Sequence, residues 1–373
     1  MPAATQAAPQ ARRSRIPAEM RAAVYRGVND VRLETVPVPA LEAGEILVRV
    51  HTCGICGTDL KKISTGSHSA PRIFGHEIAG EVAALGEGVD SFSVGERVMV
   101  HHHIPCRNCF YCERKVFAQC PTYKRVGVTA GFEPSGGGFS EYVRVMPWIV
   151  ARGVVRIPDG ASYEQASFIE PVNTCWKGIE SLELATGENV LVIGQGPIGI
   201  MLALLAQRTG ARVIGADRFA ERLSAAKALG IRETIDSSQH DTLQEARERS
   251  TGRGMDAVIL AVGANALIRL AMDCARPGGQ VLLFAQTQHG EAAIDPAAVC
   301  VDEKTLVGSY SASIDLQQRC ADLVFSGEID FSRLITHRFP LERAVEAIHL
   351  AAHPQPDSLK VVITPGMAWE SAQ

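Results

Sequence analysis

The stretch from Val190 to Asp217 constrains the fold of this chain most. Four aliphatic residues, Val190 to Ile193, predict a buried strand, and the pattern G-x-G-x-x-G follows over residues 194–199. An Ala- and Leu-rich helix then extends to Thr209, and a second strand over residues 211–217 ends in an acid. Strand, glycine turn, helix, strand and acid in this register predict a βαβ unit that binds a dinucleotide.

Each part of this unit has a physical role in holding a cofactor. Gly194 permits a tight turn, Gly196 lets the backbone approach the pyrophosphate, and Gly199 lets the helix pack closely on the strand. The N-terminus of the helix faces the phosphates. Asp217 is expected to accept hydrogen bonds from the adenosine ribose, which favours NAD as the cofactor. The neighbouring Arg218 could bind the extra phosphate of NADP, so NADP is the alternative cofactor. The candidate cofactor-binding residues are Gly194, Gly196, Pro197, Ile198, Gly199, Asp217, Arg218 and Arg222.

The rest of the chain divides into a β-rich part and a continuing βαβ part. Residues 45–51 alternate apolar and polar side chains, as a half-buried strand does, and residues 78–86 and 94–100 predict further strands. After the dinucleotide unit, buried strands are predicted over residues 254–263, 278–284 and 305–310, which indicates a parallel sheet. A helix over 162–170 is predicted to end at Pro171, and a second helix is predicted over 173–180. Helices over 316–325 and 344–352 and a strand over 359–363 are expected to return to the first part.

Length and composition favour small-molecule chemistry. A chain of 373 residues exceeds the size at which one hydrophobic core stops growing, so two domains are expected. A net charge of -4 gives no electrostatic footprint for nucleic acid or anionic membrane. No apolar run reaches the roughly 18 to 20 residues that span a bilayer. Residues 1–19 are expected to form a disordered tail. The ten cysteines, four of them at metal-ligand spacing, favour a reducing cytoplasm over a disulfide framework.

Four cysteines give the most specific metal signal in the chain. Cys106, Cys109, Cys112 and Cys120 have the spacing C-x2-C-x2-C-x7-C. Four thiolates fill the tetrahedral sphere of zinc and leave no position for substrate, so this site is expected to be structural. The alternatives are an iron-sulfur cluster and a loop of unpaired or disulfide-linked cysteines.

A second group of potential ligands is spread over three motifs. Cys56 lies in the run Cys-Gly-Thr-Asp, which places a thiol, a hydroxyl and a carboxylate within four residues. Gly-His-Glu follows at residues 75–77, and Glu170 precedes a proline. We hypothesise a catalytic zinc held by Cys56, His76 and a glutamate, either Glu170 or Glu77.

In their order and spacing these motifs resemble the zinc-dependent medium-chain alcohol dehydrogenases over residues 20–365. A glutamate at position 170, where ethanol-type members have cysteine, resembles the sorbitol and threonine dehydrogenase branch. The resemblance implies an α/β and β architecture: a GroES-like β-rich catalytic domain of residues 20–172 and 311–373, and a Rossmann domain with a doubly wound parallel sheet of residues 173–310. It also implies a homodimer or homotetramer.

The resemblance further implies roles for single residues. Cys56, His76 and Glu170 are expected to bind the catalytic zinc, with Glu77 as the alternative ligand. Asp59 is expected to orient His76, and Thr58 to take the proton of the substrate. Many members continue this relay through a histidine three residues later, where this chain has Lys61. His102 is expected to line the substrate pocket, the alternative being a surface run of histidines at 101–103.

The expected activity is zinc-dependent hydride transfer between a secondary alcohol and NAD. A polyol or sugar-like substrate is favoured, because a site that contains glutamate suits hydroxyl-rich molecules; a threonine-type amino alcohol and a simple alcohol are the alternatives. A hypothesis from another class is a non-catalytic zinc- and NAD-binding redox sensor. The complete ligand set, the Thr58 hydroxyl and the glycine fingerprint argue against that sensor.

Overall fold

The computed structural model describes residues 16–368 except 124, 126, 133–135 and 286–289, so most of the predicted tail lies outside the described residues. The strands are β1 Glu19–Gly27, β2 Asp30–Pro37, β3 Ile46–Gly54, β4 Arg72–Ile73, β5 Glu77–Leu85, β6 Arg97–Val100, β7 Tyr142–Val145, β8 Val154–Arg156, β9 Asn189–Ile193, β10 Arg212–Asp217, β11 Glu233–Asp236, β12 Met255–Leu260, β13 Ala275–Leu283, β14 Thr305–Gly308, β15 Ile335–Phe339 and β16 Lys360–Ile363. The α-helices are α1 Gly57–Thr65, α2 Phe110–Glu113, α3 Pro147–Val150, α4 Tyr163–Ser167, α5 Ile169–Glu180, α6 Pro197–Arg208, α7 Ala220–Ala228, α8 Thr242–Arg249, α9 Leu267–Cys274, α10 Pro296–Cys300, α11 Gln317–Ser326 and α12 Ala344–Ala352.

The dinucleotide-binding pattern forms a parallel sheet with the strand order β11-β10-β9-β12-β13-β14. The order reverses between β9 and β12, and the glycine turn follows β9 at that point. Crevices at such reversal points, beyond the carboxyl ends of the strands, are where open α/β sheets bind ligands. The predicted doubly wound Rossmann sheet is confirmed.

The β-rich part of the chain forms a second sheet with the order β15-β16-β3-β5-β6-β8, and β7 pairs with β3 outside this path. Strand β16 runs antiparallel to β3, with Ile363 opposite Cys53. Strands β3 and β5 pair Gly54 with Glu77. The sheet therefore places the end of β3, the start of β5 and the final strand of the chain side by side. The predicted GroES-like architecture is confirmed.

The helix prediction around Pro171 was wrong in its boundaries. A helix was predicted to end at Pro171 and another to begin at Asn173, but the break lies at Phe168 and α5 runs through Pro171. The first four N–H groups of a helix have no partner within it, so a proline at the third position of α5 loses no hydrogen bond. This continuous helix places Glu170 in its first turn.

Apolar residues cover both faces of the Rossmann sheet. Along β9, Val190 and Val192 pack into the cluster on one face, while Leu191 and Ile193 pack into the cluster on the other. This alternation follows from the two-residue period of a strand, and a strand buried on both faces reads as a continuous apolar run. Among the described helices, none combines the length and apolarity needed to cross a bilayer.

Candidate functional site

Asp59 joins the two loops that carry the predicted zinc ligands. Cys56 is the N-cap residue of α1, and its backbone N–H donates to Asp59 Oδ2 at 3.1 Å. The N–H of Gly75 donates to Asp59 Oδ1 at 3.3 Å, and His76 Nδ1 lies 3.0 Å from the same oxygen. Asp59 is only 1% exposed. Its carboxylate therefore fixes the Cys56 loop against the His76 loop.

This arrangement sets the tautomer of His76. An ionised carboxylate only accepts hydrogen bonds, so the Nδ1 atom carries the proton and the Nε2 lone pair is available to a metal. Burial opposes protonation of His76, but the charges of Asp59 and Cys56 outweigh it and raise the pKa of His76 well above its ordinary value. The Asp59 carboxylate thus fixes the orientation of the His76 ring.

The potential ligands form two groups that share His76. In one group, ligand atoms of Cys56, His76 and Glu77 all lie within 4.8 Å of one another. In the other, ligand atoms of His76, His102 and Glu170 meet the same limit. Thiolate, imidazole and carboxylate groups at these separations suit zinc. The residues present therefore fit a zinc ion, and each glutamate offers a carboxylate oxygen within 4.8 Å of a ring nitrogen of His76.

Glu77 has a cationic partner that the sequence did not reveal. Lys360 Nζ, on β16, donates to Glu77 Oε1 at 2.6 Å and to the carbonyl oxygen of Ile55 at 3.1 Å. Both side chains are almost fully buried. Burial lowers the pKa of Lys360, but the charges of Glu77 and Cys56 and the hydrogen bond to Glu77 together outweigh it and raise the pKa. The one lysine within the apolar strand predicted over 359–363 is the signal in the sequence that could have indicated such a partner.

Glu170 reaches the same centre from α5. Its side chain is buried, and Oε1 lies 3.9 Å from His102 Nδ1 and 3.5 Å from the Thr174 hydroxyl that donates to it. Burial raises the pKa of Glu170 to about 7, the charge of His76 opposes that rise, and the charge of Glu77 adds to it.

The three histidines at 101–103 are buried rather than on the surface, so the surface alternative is wrong. The ring of His102 lies 4.6 Å from that of His76 and 4.4 Å from that of His103, centroid to centroid. The row continues to Tyr123, 5.1 Å from His103. Burial lowers the pKa of His102 well below its ordinary value, which favours the neutral imidazole that metals bind. The sequence suggested a pocket position for His102 but not this row of rings.

The four-cysteine lobe brings its sulfur atoms together. Cys120 Sγ lies 3.5 Å from Cys106 Sγ, and Cys109 Sγ lies 3.6 Å from Cys112 Sγ. All four sulfur atoms lie within 4.8 Å of one another. Backbone N–H groups of Cys106 and Arg107 point at two of them, at 3.4 and 3.3 Å. Such donors stabilise thiolates, so the lobe fits a structural zinc ion.

The glycine turn has the shape of a dinucleotide cradle. Gly194 has φ +97°, a conformation that favours glycine. A Cβ atom on Gly199 would lie 1.8 Å from the carbonyl oxygen of Gly194, whereas a Cβ on Gly196 would meet nothing within 4 Å. Gly199 is therefore required for packing, and the open space at Gly196 lies at the N-cap of α6, where a phosphate can approach.

Asp217 closes this cradle from the end of β10. Its carboxylate accepts from the N–H of Gln195 at 2.7 Å and of Phe219 at 3.0 Å. Arg222 Nη1 lies 4.0 Å from Asp217 Oδ2, and the guanidinium groups of Arg218 and Arg222 lie over the Phe219 ring. The three charged residues therefore lie together at the end of β10.

Thr58 lies in the first turn of α1, two residues after Cys56, and is half-buried. Lys61 lies one turn further along and lines a cleft of about 950 Å³ between α1, α12 and Gly263. His349 and His353 line the same cleft. The residue at the relay position thus faces a large cavity beside the Rossmann sheet.

Comparisons with known proteins agree with the geometry. Residues 42–159 match the family model described as alcohol dehydrogenase GroES-like domain, and residues 197–326 match that described as zinc-binding dehydrogenase.

Sorbitol dehydrogenase of Bacillus subtilis (strain 168) is 30% identical over 94% of this chain and 98% of its own length. D-arabinitol dehydrogenase 1 of Uromyces fabae is 30% identical over the same shares, 94% and 98%. A solved structure from Sinorhizobium meliloti 1021, described as a zinc-binding dehydrogenase bound to NADP, is 28% identical with a TM-score of 0.84 and covers 94% of this chain and 100% of that one. These relatives favour an oxidoreductase over a non-catalytic sensor.

Proposed function

The chain belongs to the zinc-dependent medium-chain alcohol dehydrogenase family, and from that premise we propose that it oxidises a secondary hydroxyl of a polyol with NAD. The family uses zinc and a nicotinamide cofactor to oxidise CH–OH groups. The observation that carries the polyol proposal is the buried Glu170 carboxylate beside His76 and His102. Of these groups, His102 is not among the proposed zinc ligands, and its imidazole can bind the second hydroxyl of a polyol, which a simple alcohol lacks.

The roles of the individual residues follow from their positions. When bound, zinc would polarise the substrate oxygen and the nicotinamide would accept the hydride. Cys56, His76 and Glu170 would hold the metal, with Glu77 as the alternative carboxylate, and Asp59 keeps His76 in the ligating tautomer. The Thr58 hydroxyl would accept the substrate proton, since it lies in the first turn of α1, two residues after Cys56 at the N-cap.

NAD is the proposed cofactor because the Asp217 carboxylate stands where the adenosine ribose is expected. Two backbone N–H groups keep this carboxylate in place, and its charge would repel the extra phosphate of NADP. Arg222 lies near Asp217, which partly offsets that charge. Gly194, Gly196, Gly199 and the first residues of α6, Pro197 and Ile198, would hold the pyrophosphate.

A substrate screen tests the proposed function. Reduction of NAD is measured with sorbitol, arabinitol, 2,3-butanediol, threonine and ethanol, and zinc per chain is determined on the same preparation. We expect the highest kcat/KM with a polyol or a vicinal diol and a loss of activity in Cys56→Ser. Higher activity with threonine or ethanol would overturn the polyol assignment, and an active Cys56→Ser variant would overturn the zinc mechanism.

The edge of the Rossmann sheet supports a homo-oligomer. Strand β14 has no neighbour on its outer side among the described strands, and Leu306 on it is 40% exposed. Val301, which precedes it, is 75% exposed. An exposed apolar strand edge is a surface that pairs with another chain. Sedimentation equilibrium should show an oligomer that Leu306→Lys weakens and Val28→Lys does not.

A cytoplasmic location is proposed from the cysteines. All ten lie within the described residues and none forms a disulfide. A reducing compartment keeps the four thiols of the lobe available to a metal. Fractionation of cells that express the chain tests this location.

A further inference from the structure

We propose that Tyr310 is a specificity-determining residue, whose phenol binds a hydroxyl of the polyol other than the one that is oxidised. Tyr310 lies in the segment 309–313, which directly follows β14. This inference rests on the proposed polyol oxidation and deepens it. It assigns a substrate contact to a part of the chain where the sequence motifs indicated none.

One face of α5 holds this segment beside the active site. Glu170, Asn173 and Lys177 follow one another at spacings of three and four residues, so their side chains share one face of the helix. Lys177 Nζ donates to the carbonyl oxygen of Tyr310 at 2.7 Å. Asn173 donates from Nδ2 to the carbonyl oxygen of Ser313 at 2.9 Å and accepts from the N–H of the same residue at 2.8 Å. The helix that brings Glu170 to the active site therefore fixes the segment at two points.

The residue after Tyr310 is held in a strained backbone conformation. Ser311 has φ +61°, in the left-handed region that favours glycine. Its Oγ atom lies 3.0 Å from the hydroxyl of Tyr123, the last member of the row of rings that starts at His76. Residues in such conformations persist only where their surroundings hold them, and they cluster at active sites and ligand-binding sites. The strain is therefore evidence that this segment belongs to the wall of the active site.

The side chain of Tyr310 lies within electrostatic reach of the potential zinc ligands. Burial raises the pKa of Tyr310, the charge of His76 opposes that rise, and the charges of Cys56 and Glu170 add to it. The phenol therefore keeps its proton at neutral pH, so it can donate a hydrogen bond as well as accept one. Tyr310 is nevertheless 39% exposed. Part of the residue thus faces space that the described residues leave open to a small molecule.

A phenol in this position distinguishes a hydroxyl from an alkyl group. A polyol carries hydroxyls on the carbons next to the oxidised one, whereas a simple secondary alcohol has only carbon and hydrogen there. A site that is built to hydrogen-bond a substrate hydroxyl disfavours the analogue that lacks it, because the polar group of the protein is then left without a partner. Tyr310 is therefore expected to favour polyols over simple secondary alcohols.

The test compares the zinc holoenzyme with its Tyr310→Phe variant, which keeps the ring and removes only the hydroxyl. We expect kcat/KM for sorbitol to fall by roughly five- to tenfold, as for the loss of one hydrogen bond. Neither kcat/KM for 2-butanol, which has no second hydroxyl, nor the dissociation constant of NAD, measured by protein fluorescence, should change. If 2-butanol is not oxidised, its inhibition constant against sorbitol takes the place of its kcat/KM. Tyr111→Phe, at a tyrosine of the four-cysteine lobe that is 41% exposed, is the control and should change none of these quantities.

An unchanged kcat/KM for sorbitol in Tyr310→Phe, or an equal loss for sorbitol and 2-butanol, would overturn the proposal. A weakened affinity for NAD would place the phenol against the cofactor and would overturn it as well. If the variant does not fold, a crystal structure of the unsubstituted holoenzyme with sorbitol gives the answer. Tyr310 Oη is expected about 2.5 to 3.0 Å from a hydroxyl oxygen that is not oxidised, and a separation beyond hydrogen-bond range contradicts the proposal. An unsubstituted enzyme that oxidises 2-butanol but not sorbitol would instead refute the proposed function.

Discussion

At the scale of single residues, Asp59 and Lys360 hold the potential metal ligands in place. Asp59 accepts hydrogen bonds from both ligand-bearing loops, and Lys360 neutralises Glu77 from the last strand. Both are buried, so each charge depends on partners inside the protein. Loss of either residue should affect the metal site and stability in separable ways.

Asp59→Ala should weaken zinc binding at the active site. The variant leaves the His76 ring without the acceptor that holds its Nδ1 atom, and groups in this position affect metal affinity by about 10- to 100-fold. Competition with a chelator measures the change. Asp59→Asn keeps an acceptor and should lose less, whereas Asp90→Ala, at an exposed position, should lose none.

Lys360→Met should destabilise the fold strongly because it leaves the Glu77 carboxylate buried without its partner. Removing one member of a buried ion pair costs about 3 to 5 kcal/mol. Urea unfolding measures the free energy of unfolding. Adding Glu77→Gln to Lys360→Met should restore most of the loss, and a double variant no more stable than Lys360→Met would argue against the pair as the cause.

At the scale of elements, the turn between β9 and α6 contains one glycine needed for packing and another placed for cofactor binding. Gly199 sits against the carbonyl of Gly194, whereas Gly196 faces open space at the N-cap of the helix. The two glycines therefore serve one motif for different physical reasons. A methyl group added to each should reveal the difference.

Gly196→Ala should fold with nearly unchanged stability but bind NAD more weakly, because its methyl group would occupy the approach of the pyrophosphate. Gly199→Ala should lose both stability and NAD affinity, since its methyl group would overlap the Gly194 carbonyl. Thermal unfolding and NAD titration measure the two effects. Equal stability losses in both variants would contradict this assignment.

At the scale of the whole molecule, Asp256 joins three strands of the Rossmann sheet. Its carboxylate accepts from the N–H of Asn189 on β9 at 2.8 Å and from Arg276 Nε on β13 at 2.6 Å. Burial raises the pKa of Asp256, but these hydrogen bonds and the Arg276 charge outweigh it and lower the pKa below its ordinary value. The ionised carboxylate thus stabilises the folded protein.

The sign of the pH dependence follows from this lowered pKa. The stabilisation is complete above the pKa of the unfolded chain, about 3.9, and is lost as the pH falls through the lower pKa of the folded state. Asp256→Asn should lose roughly 1.5 to 3 kcal/mol at pH 7 and less at pH 3. Urea unfolding at both values measures this, with Asp90→Asn as the control. An equal loss at both pH values would contradict the assignment.

Much of the molecule follows from local sequence. The Rossmann sheet was predictable because buried strands, the glycine turn and a terminal acid lie within 28 consecutive residues, Val190 to Asp217. The four-cysteine lobe was predictable because its ligands lie within 15 residues, from Cys106 to Cys120. The helix boundary near Pro171 could not be predicted, since proline is tolerated in the first turn of a helix as well as after its end.

The sequence by itself determined the two architectures, the cofactor cradle, and Cys56, His76, Glu77 and Glu170 as potential metal ligands. Tertiary structure decided how these ligands group around His76, which carboxylate Lys360 neutralises, and that His102 is buried beside Glu170. The physical reason is distance along the chain. Lys360 and Glu77 are 283 residues apart, and the pairing of β3 with both β16 and β5 brings them into contact.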